Sequence, residues 1–274
     1  MSEAQDYPLG YSDQEAKRLA DQGALLEELT EEVFRRAGLR QGMQVLDIGC
    51  GVGDVSLLAA RMVGSDGRVL GIDKALSSVE AERRRIAALG VRNVHFEERD
   101  LAVFATDQKF DALVGRFVLL YLPDPATVLR SLSRHLRPDA IVALQELDMS
   151  QVSEVPASEL FMQARQWILQ AFGAAGAELD MGTKLYTTLV RAGLPAPSMI
   201  AATQVACGPK SPGYEYMVGV LRSLLPLIER SGLAKAAEIG IDTLAARLRD
   251  DAVANDRVIF LPRLVGAWAR LTDA

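Results

Sequence analysis

A turn with glycine at every second position follows one apolar segment of the chain. The segment spans residues 45–48, which are apolar except for Asp47, and the turn runs through Gly49, Gly51 and Gly53. Glycine at such positions lets the backbone approach a ligand and adopt torsions that are closed to other residues. A helix that begins near Asp54 would present free backbone N–H groups to the turn. These features are typical of a site that holds a nucleotide-like cofactor.

The spacing of the glycines separates this turn from the nicotinamide-binding fingerprint. That fingerprint is G-x-G-x-x-G, whereas the glycines here follow one another at every second residue. Asp47 precedes the first of them by two residues, and a carboxylate there suits a cation such as an ammonium better than a pyrophosphate. Further along the chain, Asp73 ends a second predicted strand and is placed to accept both hydroxyls of a ribose. A nicotinamide oxidoreductase is therefore disfavoured.

The order of these segments resembles that in class I S-adenosylmethionine-dependent methyltransferases. The resemblance runs from about residue 43 to 147 and rests on residues 45–53, Asp73, Glu98-Arg99-Asp100-Leu101, residues 110–116 and Leu136-Arg137-Pro138-Asp139. Within that class, the chain is most similar to the group of ubiquinone and menaquinone biosynthesis. The resemblance implies S-adenosylmethionine as the cofactor. It also implies a small-molecule acceptor, methylated at oxygen, nitrogen or carbon.

The same resemblance assigns cofactor contacts to eleven positions of this chain. They are Asp47, Gly49, Cys50, Gly51, Asp73, Lys74, Asp100, Leu101, Arg116, Tyr11 and Arg18. Asp100 and Leu101 would hold the adenine ring, and the backbone of Arg116 would contact the methionine part. Tyr11 and Arg18 would close over the cofactor from a leading helix. Cys50 is expected to pack within the turn and not to act as a nucleophile.

Candidates for the chemical step are fewer, because in-line methyl transfer depends mainly on alignment of the reacting atoms. Glu146 lies at the carboxyl end of the fifth predicted strand, where α/β sheets bind ligands, and could orient the acceptor or accept a proton. The Arg116 side chain could bind an acceptor carboxylate. Both also have structural alternatives: Glu146 could cap the segment that follows the strand, and the Arg116 guanidinium could pair with a neighbouring acid. His95 and His135 are expected to be structural, and no metal site is expected.

Alternating strand and helix patterns predict an α/β fold. Strands are predicted at 43–48, 67–73, 93–98, 110–115 and 140–146, with helices at 54–63, 75–89 and 125–135. Helices at 157–175, 180–192, 212–231 and 234–249 and strands at 198–207 and 258–271 follow. We therefore expect a Rossmann-like class I methyltransferase sheet of seven mostly parallel strands, with helices on both faces and added helical lid segments.

One methyltransferase domain is expected to occupy residues 1–274. Residues 1–40 would form an N-terminal helical cover, 41–150 the cofactor-binding core, and 151–274 the rest of the sheet with its lid. The sixth and seventh strands of the family usually form a hairpin. An insertion at about 209–250 between them would therefore cover the substrate, with Trp167 and Tyr186 as candidate pocket walls.

The composition narrows the choice of partners. A formal net charge of -6 and a pI near 5.1 argue against a nucleic-acid substrate, which calls for a basic face. Two cysteines are too few for a disulfide framework. No apolar run is long enough to target or span a membrane, so a cytoplasmic setting is expected. A homodimer is left open.

Two other functions would use the same cofactor motifs. The chain could be an S-adenosylmethionine-using enzyme that does not methylate, such as an intramolecular cyclase acting on the aminobutyrate chain of the cofactor. It could also be a non-catalytic S-adenosylmethionine-binding protein. Neither is separated from methyl transfer by the sequence motifs.

Overall fold

The computed structural model describes residues 8–10 and 13–271, which divide into two compact units. The first unit contains residues up to 22, 147–180 and 202–263, and the second contains residues 23–146, 181–201 and those from 264 onward. Four elements contribute residues to both units: α1 (Asp13–Ala37), β5 (Leu136–Asp148), β7 (Ser198–Ala206) and β8 (Val258–Arg270).

Alternating strands and helices make up the second unit. Its remaining strands are β1 (Gln44–Ile48), β2 (Arg68–Asp73), β3 (Val94–Glu98) and β4 (Phe110–Arg116). Its remaining helices are α2 (Asp54–Val63), α3 (Leu76–Leu89), α4 (Pro125–Ser133) and α6 (Met181–Arg191), and a 3-10 helix spans Leu119–Tyr121.

Parallel pairing brings the carboxyl ends of several strands to one edge of the sheet. The strand order is β3-β2-β1-β4-β5-β8-β6, with β7 paired to β8. Strand β1 pairs in parallel with both β2 and β4, so that Ile48 lies opposite Ile72 and Gly115. The residues that follow these three strands are therefore neighbours, at the edge where α/β sheets bind ligands.

Apolar residues on both faces of the strands explain why this sheet is covered by helices. Val45, Leu46 and Ile48 of β1 are fully buried, as expected for a parallel strand enclosed on both sides. On one face, Phe34 of α1 and Leu58 of α2 belong to the same apolar core as Val45. Burial of this continuous core fixes the strand ends that carry the candidate site.

Helices dominate the first unit. They are α5 (Glu159–Ala174), α7 (Gly213–Arg230), α8 (Ala236–Ile239) and α9 (Ile241–Ala254), and α7 packs against both α5 and α9. The Ser158 hydroxyl caps α5 by accepting a hydrogen bond from the Phe161 N–H, 3.1 Å away. At the end of β5, the fully buried Asp148 carboxylate accepts two hydrogen bonds from the Arg263 guanidinium.

The predicted fold is confirmed, with one more strand than expected. The additional strand is β6 (Ser153–Val155), which pairs antiparallel with residues 258–260 of β8. The single helix predicted at 234–249 is wrong in one respect, because Gly240 adopts a left-handed conformation (φ 61°) and separates α8 from α9. Within the described ranges, no helix is both long and apolar enough to cross a membrane.

Candidate functional site

The glycine turn leaves β1 and leads directly into α2. Gly49 and Gly51 have φ values of 58° and 50°, which other L-residues rarely adopt. A Cβ atom on Gly51 would meet nothing within 4 Å, so its face is open. A Cβ atom on Gly49 would instead lie 2.6 Å from the Val118 Cγ2 atom. Gly51 therefore faces open space, while Gly49 is in close contact with the segment after β4.

Asp73 is fixed against this turn by two backbone hydrogen bonds. Its Oδ2 atom accepts from the Gly51 N–H at 3.0 Å, and its Oδ1 atom accepts from the Ala75 N–H at 2.9 Å. A carboxylate oxygen can accept more than one hydrogen bond, so both oxygens keep capacity for ligand hydroxyls. The adjacent Lys74 is exposed. These contacts hold the Asp73 carboxylate beside the turn, and its contact with a ribose stays a prediction.

Asp47 lies on β1, two residues before Gly49, and is shielded from solvent. Its side chain is only 1% exposed, and its Oδ2 atom accepts a 2.5 Å hydrogen bond from the Ser56 hydroxyl. The Oδ1 atom is buried with no hydrogen-bond partner among the residues described. Burial raises the pKa of Asp47 to about 7, an effect opposed by the Ser56 hydrogen bond and the Arg116 charge. A cationic group bound nearby would favour the charged carboxylate.

The predicted adenine segment is joined to Asp73 by the backbone. The Arg99 N–H donates a 2.8 Å hydrogen bond to the Asp73 carbonyl oxygen, which places Asp100 just beyond the end of β3. The exposed Asp100 carboxylate accepts a hydrogen bond from the Ala102 N–H at 2.8 Å and so closes a local turn. Contact of Asp100 and Leu101 with an adenine ring stays a prediction.

Arg116 ends β4 and is partly buried. Its Nη1 atom donates a 2.9 Å hydrogen bond to the hydroxyl of Thr30 on α1, and its guanidinium lies 5.8 Å from the centre of the Phe117 ring. The predicted use of this side chain for an acceptor carboxylate is not tested by these contacts. The Thr30 contact joins the end of β4 to α1. The positive charge of Arg116 also lowers the pKa of Asp47, against the larger effect of burial.

Glu146 is enclosed near the end of β5. Its side chain is 1% exposed, and its Oε1 atom accepts hydrogen bonds from the Val118 N–H (2.9 Å) and the Leu119 N–H (2.6 Å). Burial raises the pKa of Glu146 to about 8, although these backbone hydrogen bonds oppose the effect. Glu146 therefore caps the 3-10 helix after β4, and not the segment after β5 that the capping alternative named.

Tyr11 and Arg18 are the two candidates for cofactor contact in the N-terminal segment. Tyr11 lies outside the described residues. Arg18 is nearly buried in the first unit, where it donates to Glu15 (2.6 and 2.7 Å) and to Gln22 (2.5 Å). The Ser223 hydroxyl of α7 also donates to Glu15, at 2.5 Å. These contacts give Arg18 a structural role, and its contact with the cofactor stays a prediction.

Pocket-wall and turn candidates occupy varied environments. Cys50 is buried within the turn, as expected for a packing residue, and its N–H donates to the Ile72 carbonyl oxygen at 3.0 Å. Trp167 is partly buried on α5, and Tyr186 is 50% exposed on α6. Neither placement tests their proposed contact with an acceptor.

Two features of the site escaped sequence reasoning. Phe117 has a φ of 59°, a conformation that costs energy for a residue with a Cβ atom and that is often found at functional sites. Gly23 lies within α1, and a Cβ atom there would lie 2.7 Å from the Asp54 Cγ atom at the start of α2. A glycine inside a predicted helix can indicate that another element packs closely against that helix. Nothing in the sequence indicates the conformation of Phe117.

The site fits S-adenosylmethionine in its chemistry. The open face of Gly51 lies beside the Asp73 carboxylate, which suits a ribose diol. The Oδ1 atom of buried Asp47, which accepts no hydrogen bond from the residues that the structure describes, supplies negative potential that a sulfonium and an ammonium would balance. These observations concern the part of the site that would hold the methyl donor, and not the part that would hold the acceptor.

Comparison with known proteins identifies the same part of the chain. A family model described as "Methyltransferase domain" matches residues 39–193. Among curated proteins, a 2-phytyl-1,4-naphtoquinone methyltransferase from Synechococcus elongatus is 38% identical over 144 residues, which cover 49% of this chain and 58% of that protein. A demethylmenaquinone methyltransferase from Staphylococcus aureus is 29% identical over 144 residues, or 52% of this chain and 58% of that protein. The match thus covers little more than half of either relative.

Solved structures extend the likeness in fold to most of the chain. The YcgJ protein of Bacillus subtilis superposes with a TM-score of 0.59 and 16% sequence identity, and the alignment covers 90% of this chain and all of that one. At this identity the likeness concerns the fold alone.

Proposed function

Because the chain belongs to the methyltransferase-domain family, we propose that it transfers a methyl group from S-adenosylmethionine to a small-molecule acceptor. This membership agrees with the family and the cofactor that the sequence predicts. The observation that carries the proposal is the Asp73 carboxylate, held by the Gly51 N–H at 3.0 Å beside the open face of that glycine. Such an arrangement binds a ribose diol next to a backbone cradle.

The protein's part in the reaction is to bind and to align. When bound, S-adenosylmethionine supplies an electrophilic methyl group on a positively charged sulfur. Asp73 would fix the ribose, Asp100 and Leu101 the adenine, and the backbone at Arg116 the methionine part. The charge of Asp47 would stabilise the cationic end, more strongly than in water because the carboxylate is buried. Alignment of the acceptor with the methyl group then provides most of the acceleration.

For the acceptor we propose a small aromatic molecule of the quinone type. The support comes from the two curated relatives, whose names specify demethylmenaquinone and 2-phytyl-1,4-naphtoquinone. The family match ends at residue 193, however, so that α7, α8 and α9 lie outside it. Demethylmenaquinone in its reduced form is the first compound to test, followed by phenols and small amines.

We propose further that the segment at about 209–250 belongs to acceptor recognition within a single methyltransferase domain. This segment contains α7, α8 and most of α9, and it lies between β7 and β8 in the chain. Since the family match does not include it, it is the part in which this chain could acquire its own acceptor preference.

Product analysis tests the proposed reaction. The protein is incubated with S-adenosylmethionine carrying a deuterated methyl group and with each acceptor, and the products are identified by mass spectrometry. Methyl transfer predicts S-adenosylhomocysteine and a deuterated acceptor in equal amounts. Methylthioadenosine would indicate cyclisation of the aminobutyrate chain, and intact cofactor with every acceptor would favour a binding protein. Either result contradicts the proposal.

Hydrogen exchange measured by mass spectrometry tests the role of residues 209–250. The protein is compared with S-adenosylhomocysteine alone and with S-adenosylhomocysteine plus an acceptor identified by product analysis. The acceptor should slow exchange in peptides from α7 and α9 beyond the effect of the first ligand. Protection confined to other peptides would show that acceptor recognition lies elsewhere.

A further inference from the structure

We infer that Glu146 is a positioning residue that fixes residues 117–119 and, through Val118, supports the glycine turn at Gly49. The inference deepens the proposed function and rests on it, because it takes the turn to be the S-adenosylmethionine site. In this role Glu146 does not contact the acceptor. It acts by holding residues 117–119 in place.

The first step of the argument is the hydrogen bonding of Glu146. The first N–H groups of a helix have no partner inside the helix. At the 3-10 helix Leu119–Tyr121, the Glu146 Oε1 atom accepts from the Val118 N–H at 2.9 Å and from the Leu119 N–H at 2.6 Å. Both residues are buried, so water could not easily replace this acceptor. One oxygen atom therefore holds the start of the segment.

The second step is the backbone conformation just before the capped residues. Phe117 has a φ of 59°, and its N–H donates a 2.9 Å hydrogen bond to the Gln145 carbonyl oxygen of β5. A non-glycine residue in this conformation persists only where its surroundings enforce it. Gln145 and Glu146 thus hold adjacent N–H groups of one sharp turn, the first through its backbone and the second through its side chain.

The third step joins this turn to the cradle. If Gly49 carried a Cβ atom, that atom would lie 2.6 and 2.9 Å from the two Val118 Cγ atoms. The Val118 side chain is therefore packed on Gly49, whose φ of 58° starts the glycine turn. A shift of Val118 would remove this support from the backbone that leads to Gly51.

Direct action on an acceptor is the competing role. The second carboxyl oxygen of Glu146, Oε2, is also buried and has no hydrogen-bond partner in the described part of the chain. An acceptor could reach it only if the surrounding side chains moved. A proton-accepting role needs the carboxyl group itself, whereas the positioning role needs only a hydrogen-bond acceptor at Oε1. This difference separates the two roles by experiment.

Two substitutions at one position supply the test. Glu146→Gln keeps a carbonyl oxygen for both N–H groups, and Glu146→Leu removes it at similar volume. The readouts are exchange of the Val118 and Leu119 amide protons by NMR, the Kd for S-adenosylhomocysteine by calorimetry, and kcat and KM for the acceptor. We expect Glu146→Leu, which removes both hydrogen bonds, to expose both amides. It should raise the Kd roughly tenfold if about one hydrogen bond's worth of this loss reaches the glycine turn. Glu146→Gln should restore both properties.

Two results would overturn the inference. Loss of kcat in Glu146→Gln equal to that in Glu146→Leu, with amide protection intact, would assign the carboxyl group to proton transfer. An unchanged Kd in Glu146→Leu despite exposed amides would show that the segment does not support the cradle.

Val118→Ala keeps the test decisive if Glu146→Leu does not fold. This variant retains both hydrogen bonds to Glu146 but shortens the side chain that packs on Gly49. It should raise the Kd severalfold with both amides still protected, and an unchanged Kd would overturn the inference. If the unsubstituted protein does not bind S-adenosylhomocysteine, the proposed function itself fails. If the unsubstituted protein binds S-adenosylhomocysteine and the variants bind it equally well, only the role inferred for Glu146 is wrong.

Discussion

The substitution Gly23→Ala distinguishes tertiary packing from local helix preference, because the two predict opposite signs. Gly23 is buried within α1, and alanine in an open helix interior is more stable than glycine by about 1 kcal/mol. Here the new Cβ atom would lie 2.7 Å from the Asp54 Cγ atom and 3.1 Å from its Cβ atom. Crowding of this kind typically costs about 1–3 kcal/mol. We expect a net loss of roughly 1 kcal/mol in the free energy of unfolding.

Urea unfolding of four proteins measures this contact directly. They are the unsubstituted chain, each single variant and the Gly23→Ala/Asp54→Ala double variant. Truncating Asp54 removes the Cγ and Oδ atoms, so Gly23→Ala should be neutral or stabilising in that background. The coupling free energy should therefore be about 1 kcal/mol or more. The contribution of Asp54 to the start of α2 is present in both arms of the cycle and cancels.

Gly173→Ala provides a matched control. Gly173 is exposed near the end of α5, and a Cβ atom there would meet nothing within 4 Å. This substitution should stabilise the protein by up to about 1 kcal/mol. If Gly23→Ala stabilised the protein as much as Gly173→Ala does, the close approach of α1 to the start of α2 would be refuted.

Three further predictions concern buried ionisable groups. Since the pKa of Asp47 is about 7, affinity for S-adenosylhomocysteine, measured by calorimetry, should fall up to about tenfold per unit as the pH drops below 7. Asp47→Asn should bind more weakly without this dependence, and an equal slope in both proteins would contradict it. Folded Glu146 keeps its proton between pH 4.5 and about 8 while the unfolded chain releases it, so it binds more protons when folded. The contribution of Glu146 to the free energy of unfolding should then fall with rising pH by about 1 kcal/mol per unit across this window and level off above it. Glu146→Gln should lower the slope in urea unfolding by this amount, most clearly between pH 7 and 8, where Asp47 with its pKa of about 7 contributes little. An unchanged slope there would assign it to other groups. Arg18→Met should cost about 3–5 kcal/mol, because buried Glu15 loses its cation. Adding Glu15→Leu should recover most of this loss in thermal unfolding, and a double variant less stable than the single one would refute the reasoning.

Much of the second unit could be predicted from the sequence because its signals are local. The mostly apolar residues 45–48 indicate a strand, the glycines after them indicate a turn, and Asp73 marks the end of the next strand. The helices α2 and α3 lie within a residue of their predicted bounds for the same reason. Local patterns were sufficient wherever one element could be recognised without its partner.

Features that depend on distant pairing could not be predicted. Strand β6 has only three residues and exists through its pairing with β8, about a hundred positions later in the chain. The acceptor role of Glu146 toward Val118 spans 28 positions, and the Ser223 hydrogen bond to Glu15 spans 208. A carboxylate in the sequence does not reveal which backbone N–H it will meet. Only the three-dimensional contacts show that Glu146 caps the 3-10 helix after β4 and that Arg18 belongs to a buried ion pair.

Calorimetric titration tests most directly whether the glycine turn and Asp73 hold the cofactor. S-adenosylhomocysteine and NAD are each titrated into the unsubstituted protein, into Asp73→Ala and into the control Asp66→Ala, which removes an exposed acid from the turn before β2. We predict binding of S-adenosylhomocysteine and none of NAD. Asp73→Ala should weaken the affinity at least tenfold, since hydrogen bonds to a charged group contribute about 1.5–3 kcal/mol, and Asp66→Ala should leave it unchanged. Equal affinity in all three proteins, or binding of NAD instead, would contradict the account.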